Sequence, residues 1–157
     1  MPNWVILGGY VLGAVARGLA VGIIVLGIAM LFTTVRIPHP LVTLSTVLLG
    51  ATIFALAGFV NAVYARKFDD VAIVPIFILT PLTYLGGVFY SVSLLPAWAE
   101  TATRANPIFY MVNAFRYGLL GISDVPLGVS YALMLGFVVA LAALALWLLK
   151  RGVGLRS

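Results

Sequence analysis

Long apolar runs alternate with short polar breaks along this chain. Residues 5–32 form the first run, interrupted only by Arg17. A second covers 41–65, a third starts after Asp70 and continues to 90, and a fourth covers 131–149. Each is near or above the ~20 residues that an α-helix needs to cross a hydrocarbon core. The pattern predicts an all-α polytopic membrane protein with four transmembrane helices. One soluble buried helix could mimic the first run, but three more runs of similar length argue against that.

The segment between the third and fourth runs is too apolar for a plain loop. Asn106 followed by Pro107 is a helix-start signal, with Asn as N-cap and Pro at the first helical position. Ile108 to Leu120 follows, with Arg116 in an apolar context and Gly121 as a helix stop. This stretch is too short to cross, so it predicts short re-entrant or interfacial helices near the outer face. Phe89, Tyr90, Trp98, Phe109, Tyr110 and Tyr117 are expected at the outer headgroup belt.

The third run carries Pro75 and Pro81, each removing a backbone donor, and then Gly86 and Gly87. It reads either as a proline-kinked helix or as a span that unwinds near the outer face and lines a route. Small residues recur at spacing four, as at Gly9 and Gly13, at Ala14, Gly18 and Gly22, and at Ala132, Gly136 and Ala140. Such faces let helices approach closely in lipid.

Composition agrees with the pattern. Hydrophobic residues make up 64% of the 157 and charged residues 8%, too few to cover a water-soluble surface. The net charge of +5 in apolar surroundings points to an anionic membrane face and not to nucleic acid. Arg66, Lys67, Lys150, Arg151 and Arg156 fall in the 65–71 turn and at the C-terminal end. The positive-inside rule then makes these places and the N-terminus cytoplasmic. The first residues carry no basic n-region, so no removable signal peptide is expected. In the inner turn, Arg66 and Lys67 close the second span while Asp69 and Asp70 open the third, which matches helix-end electrostatics. This turn reads as a solvated loop or as a contact surface for a cytoplasmic partner.

Candidate chemistry is sparse. There is no cysteine, and the one histidine, His39, sits between two prolines. Asp69 and Asp70 have basic neighbours that favour ion pairing over acid–base work. No phosphate-binding loop is present, so any ATPase belongs to another chain. Neither an enzyme site nor a metal or other cofactor is expected here. Arg17 is expected to face protein or to snorkel inward, with anchoring as its bland role and a part in a route as the sharper one.

These residues carry a family resemblance. The chain resembles the membrane subunit of bacterial ABC-2 type exporters over nearly its whole length. The likeness rests on Gly9 to Gly18, on Phe68, Asp69 and Asp70, on Pro75, and on LTPLTYLGGVFYS from Leu79 to Ser91. It continues through Asn106 to Ile108, Phe115 to Gly118, Gly121 to Pro126 and Arg151 to Ser157.

The resemblance implies a partial ABC-2 transmembrane domain over 1–157, matching the family's third to sixth of six spans. The first two spans and the helix that docks on the ATPase are missing. It implies an inner-membrane location, separate ATP-binding subunits, a second permease copy, and a role in a translocation route. Pro81, Gly86, Gly87, Phe89, Tyr90, Asn106, Pro107 and Arg116 are then the structural or route residues. A non-transporting membrane scaffold or assembly protein is the alternative, and a membrane-embedded lipid enzyme is a weaker third.

Overall fold

The structure, a computed structural model, describes residues 2–65, 67–90 and 94–152. It is all-helical, with no strand among the described residues. Three helices are long and apolar enough to cross a membrane: α1 (Asn3–Phe32), α2 (Pro40–Tyr64) and α7 (Leu127–Lys150). They correspond to the first, second and fourth expected spans.

The third expected span is a compound helix. It runs from α3 (Phe68–Ile73) through a π-helical segment (Val74–Leu79) into α4 (Thr80–Tyr84). These pieces hold six, six and five residues, so together they fall short of a full crossing at ordinary α rise. Pro75 is the local cause. It has no N–H for the carbonyl of Val71, and the Asn61 side chain of α2 donates to that carbonyl instead (2.9 Å). The Thr80 N–H then bonds back to the Pro75 carbonyl, five residues earlier, and the Thr80 hydroxyl donates to the same oxygen (3.0 Å).

The two short helices follow as expected. α5 (Ala97–Arg104) leads into α6 (Pro107–Leu120). The Asn106 side chain accepts from the Ile108 N–H (3.0 Å), and Gly121 ends the helix at φ 72°. α6 lies against α2 and α7, and its course is read from its contacts. At one end, the His39 N–H donates to the Gly118 carbonyl (3.2 Å), at the start of α2. At the other, Met111 and Ala114 pack with Ile53 of α2 and Met134 of α7. Fourteen residues of α2 separate His39 from Ile53, about 20 Å at 1.5 Å per residue. α6 therefore accompanies only about half of α2, as a re-entrant helix does.

α2 is the hub of the packing, touching α1, α6 and α7. A second apolar cluster, Leu7, Leu56, Ala145 and Leu149, ties α1, α2 and α7 together at the end near the 65–71 turn. The small-residue ladders are only partly used. A side chain at Gly18 would touch Ala51, and one at Gly58 would touch Tyr10, whereas Gly9, Gly13, Gly22 and Gly136 look onto open space. The closest approach falls at Gly118, which no ladder included. A Cβ there would lie 2.8 Å from the Thr43 backbone nitrogen, so α2 and α6 meet almost backbone to backbone.

Candidate functional site

The broken end of the third span meets the re-entrant pair, and most of the sequence-predicted residues converge there. α4 ends at Tyr84, and the Gly86 N–H bonds to the Thr83 carbonyl (3.1 Å) instead of continuing the α ladder. This frees the Leu82 carbonyl. The Asn106 side chain donates to it (2.6 Å) while its own oxygen caps α6. One buried asparagine thus ends one helix and starts another.

Gly86 and Gly87 are both buried. Gly87 has φ 76°, a left-handed conformation that a side chain resists. A Cβ on Gly86 would stand 3.0 Å from Ile108 and 3.2 Å from the carbonyl oxygens of Leu82 and Thr83. The span does break here, and the hairpin packs directly onto the break. Pro75 acts one helical segment earlier, where the π turn replaces the α ladder.

Arg116 secures the junction. Its guanidinium donates to Asp124 (2.8 Å), to the Gly87 carbonyl and to the Tyr90 carbonyl (3.3 Å). The Arg116 and Asp124 side chains are only 17% and 14% exposed. In so little water, charge-assisted bonds to several acceptors hold position well. Asn113, 1% exposed, braces the far side. Its oxygen accepts from the N–H groups of Asp124 (2.8 Å) and Val125 (3.3 Å), and its nitrogen donates to Ser130 (3.0 Å) and the Val125 carbonyl (3.1 Å).

Other predicted residues lie apart from the junction. Pro81 stands in the first turn of α4, exposed, its carbonyl accepting from Leu85 (3.0 Å). Pro107 opens α6. Phe89 is 74% exposed and stacks on Tyr84. Phe109, expected in the headgroup belt, is instead 1% exposed. The helix start at Pro107 turns it onto Gly87, and only Phe89 and Trp98 keep the outward aspect of a belt. Tyr110 and Tyr117 are half-buried.

Arg17 is exposed on α1 and has no hydrogen-bond or ionic partner among the described residues, so it does not face protein within this chain. The adjacent Gly18, not Arg17, turns to α2. In the inner turn Asp69 and Asp70 occupy the first turn of α3, and the Lys67 N–H donates to Asp70 (3.0 Å). Arg66 lies outside the described residues.

Asn61, Asn113 and Asp124 were not among the predicted site residues. A signal existed for the asparagines, since each is a lone amide in an apolar helix. Asp124 carries no such signal, since it stands in the polar turn after α6.

The sequence profile of the ABC-2 type transporter family matches residues 1–120, which include the broken span, the re-entrant pair and Arg116. This chain belongs to the ABC-2 type transporter family. Two relatives agree, each named inner membrane transport permease YadH, one from Escherichia coli (strain K12) and one from Shigella flexneri. Each is 48% identical over 157 residues, covering 100% of this chain and 61% of the relative. No solved structure matches. The ABC-2 chain spans under two thirds of the length of these relatives. Among its described residues, no group of three or more His, Cys, Asp or Glu could hold a metal ion.

Proposed function

We propose that this chain supplies the outer barrier of the membrane subunit of an ATP-driven exporter in the bacterial inner membrane. The carrying observation is the half-depth hairpin pinned to a broken span by Arg116. A hairpin that ends midway obstructs one leaflet's depth and leaves the other open. Where its tip is fastened to a breakable span, movement of the span moves the obstruction. In this reading the chain is a partial transmembrane domain, spans three to six, working with separate ATPase subunits and a second permease copy. Membership of the family, the transport permeases among its relatives and the 61% coverage of those relatives support it.

The test is reconstitution of the full-length parent with its ATPase. Amphiphile-stimulated hydrolysis is expected from the pair, and none from this 157-residue chain with the same ATPase. Coupled turnover by the short chain would refute the partial-domain reading. A parent that never co-purifies with an ATPase would favour the scaffold.

Orientation is a separate expectation. Lys67, Lys150 and Arg151 lie at the ends that the positive-inside rule makes cytoplasmic, and Arg151 sits over the Trp147 ring (4.0 Å). Two outward arginines are balanced locally, Arg104 by Glu100 (2.7 Å) and Arg116 by Asp124 (2.8 Å). Single cysteines at Ser123 and Ser157 can be probed with an impermeant thiol reagent on intact cells. Ser123→Cys should label and Ser157→Cys should not; the reverse pattern would invert the topology.

A further inference from the structure

A cavity of about 260 Å³ lies between α1, α2 and α6. Gly22 and Leu26 of α1, Ile37 of the connecting loop, Val47 of α2, and Phe115 and Leu119 of α6 line it. Thr43 is its one polar lining residue, and that hydroxyl already donates to the His39 carbonyl (3.1 Å). We infer that this groove holds one acyl chain of an anionic phospholipid, with Arg36 on the headgroup phosphate.

Three observations point to that occupant. The walls are two helices long and apolar enough to cross a membrane and the shorter α6, and the lining they give the groove is apolar apart from Thr43. Lipid tails are as apolar as the lining, so the hydrophobic effect gives no preference for the groove over bulk lipid. Selection must then come from shape and from charge at the mouth. Arg36 supplies the charge. It neighbours the lining residue Ile37, is exposed, and has no hydrogen-bond or ionic partner among the described residues. The arginines on α5 and α6 are instead engaged by Glu100 and Asp124. His39 stacks on Tyr117 (4.8 Å between ring centroids) just above the cavity, the aromatic arrangement of a membrane interface. The inference does not rest on the transport reading.

The test uses this chain in phosphatidylcholine nanodiscs doped with a photoactivatable lipid, diazirine on one acyl tail. Phosphatidylglycerol and phosphatidylcholine versions are compared by mapping crosslinked peptides. The phosphatidylglycerol probe should label the groove residues well above the exposed α7 positions Leu135 and Val139. A surface Arg is worth about fivefold in anionic lipid preference, so the phosphatidylcholine probe should label the groove about fivefold less.

Gly22→Leu should fill the groove and suppress its labelling. A Cβ at Gly22 meets nothing within 4 Å and the rest of the side chain enters the groove, so the variant should keep its thermal midpoint. Arg36→Gln should abolish the difference between the probes while tail labelling persists. Equal labelling of groove and α7, or no effect of Gly22→Leu, would overturn the inference. So would chain-to-chain crosslinks at the groove, which would assign it to a second copy.

Discussion

Arg116→Gln should be the most damaging single change in the outer half of the protein. The guanidinium bonds a carboxylate and two backbone carbonyls at once, in a site where both ionic side chains are largely buried. Glutamine removes the charge and cannot reach three acceptors. Breaking one side of a buried ion pair costs about 3–5 kcal/mol, and the residual exposure here argues for the lower end. Thermal unfolding in detergent should show the loss as a large fall in midpoint. Arg116→Lys should rescue little, because a single ammonium lacks the planar fork. The double variant Arg116→Gln, Asp124→Asn should recover part of the deficit, since it no longer buries an unmatched charge. A lysine variant as stable as the parent would show that charge alone is needed and that the carbonyl contacts to Gly87 and Tyr90 are incidental.

The second large effect is expected at the glycine pair. In an ordinary helix interior, alanine is better than glycine by about 1 kcal/mol. At Gly87 the sign reverses, because a left-handed backbone costs a side-chain-bearing residue about 1–2 kcal/mol. Gly86→Ala adds contacts with Ile108 and two helix carbonyls that have little room to yield. The double alanine variant should lower the thermal midpoint, and the same change in a full-length relative should reduce transport at unchanged membrane levels. Two controls separate causes. Gly121→Ala carries similar backbone strain (φ 72°) with nothing near the new methyl, so it isolates the strain. Gly136→Ala, mid-helix and facing open space, should be neutral or stabilising. A double alanine variant with wild-type stability and transport would remove the break from the mechanism.

Much of this was legible from residue order because it depends on local chemistry. Three spans follow from unbroken apolar length. The boundaries of α6 follow from Asn106, Pro107 and Gly121, whose roles need only their own backbone neighbourhood. The third span was legible as irregular but not in detail. Pro75 frees the Val71 carbonyl, yet its acceptance by Asn61 depends on how α2 and α3 meet across the inner turn. Asp124 lies eight residues from Arg116, near enough to pair, but the intervening turn decides that their side chains converge. Phe109 was misplaced for a related reason. Aromatic content near an interface suggests a belt, whereas the face of a helix that becomes core depends on what packs against it. The small-residue ladders mark where close approach is permitted. They do not mark where it happens, and the tightest crossing lies at a glycine outside them.

The π segment between α3 and α4 has a mechanical consequence. Such a turn holds about one residue more than the α turns beside it, which sets the side chains beyond it out of phase by about 100°. The lower piece of this span is held by Asn61 on α2 and the upper piece by Asn106 at the hairpin tip. These two anchors sit on different parts of the protein. A straight rod in register with one need not be in register with the other. The extra residue lets one arm keep its register with the bundle while the other keeps its register with the hairpin, and the change of phase falls at Val74–Leu79.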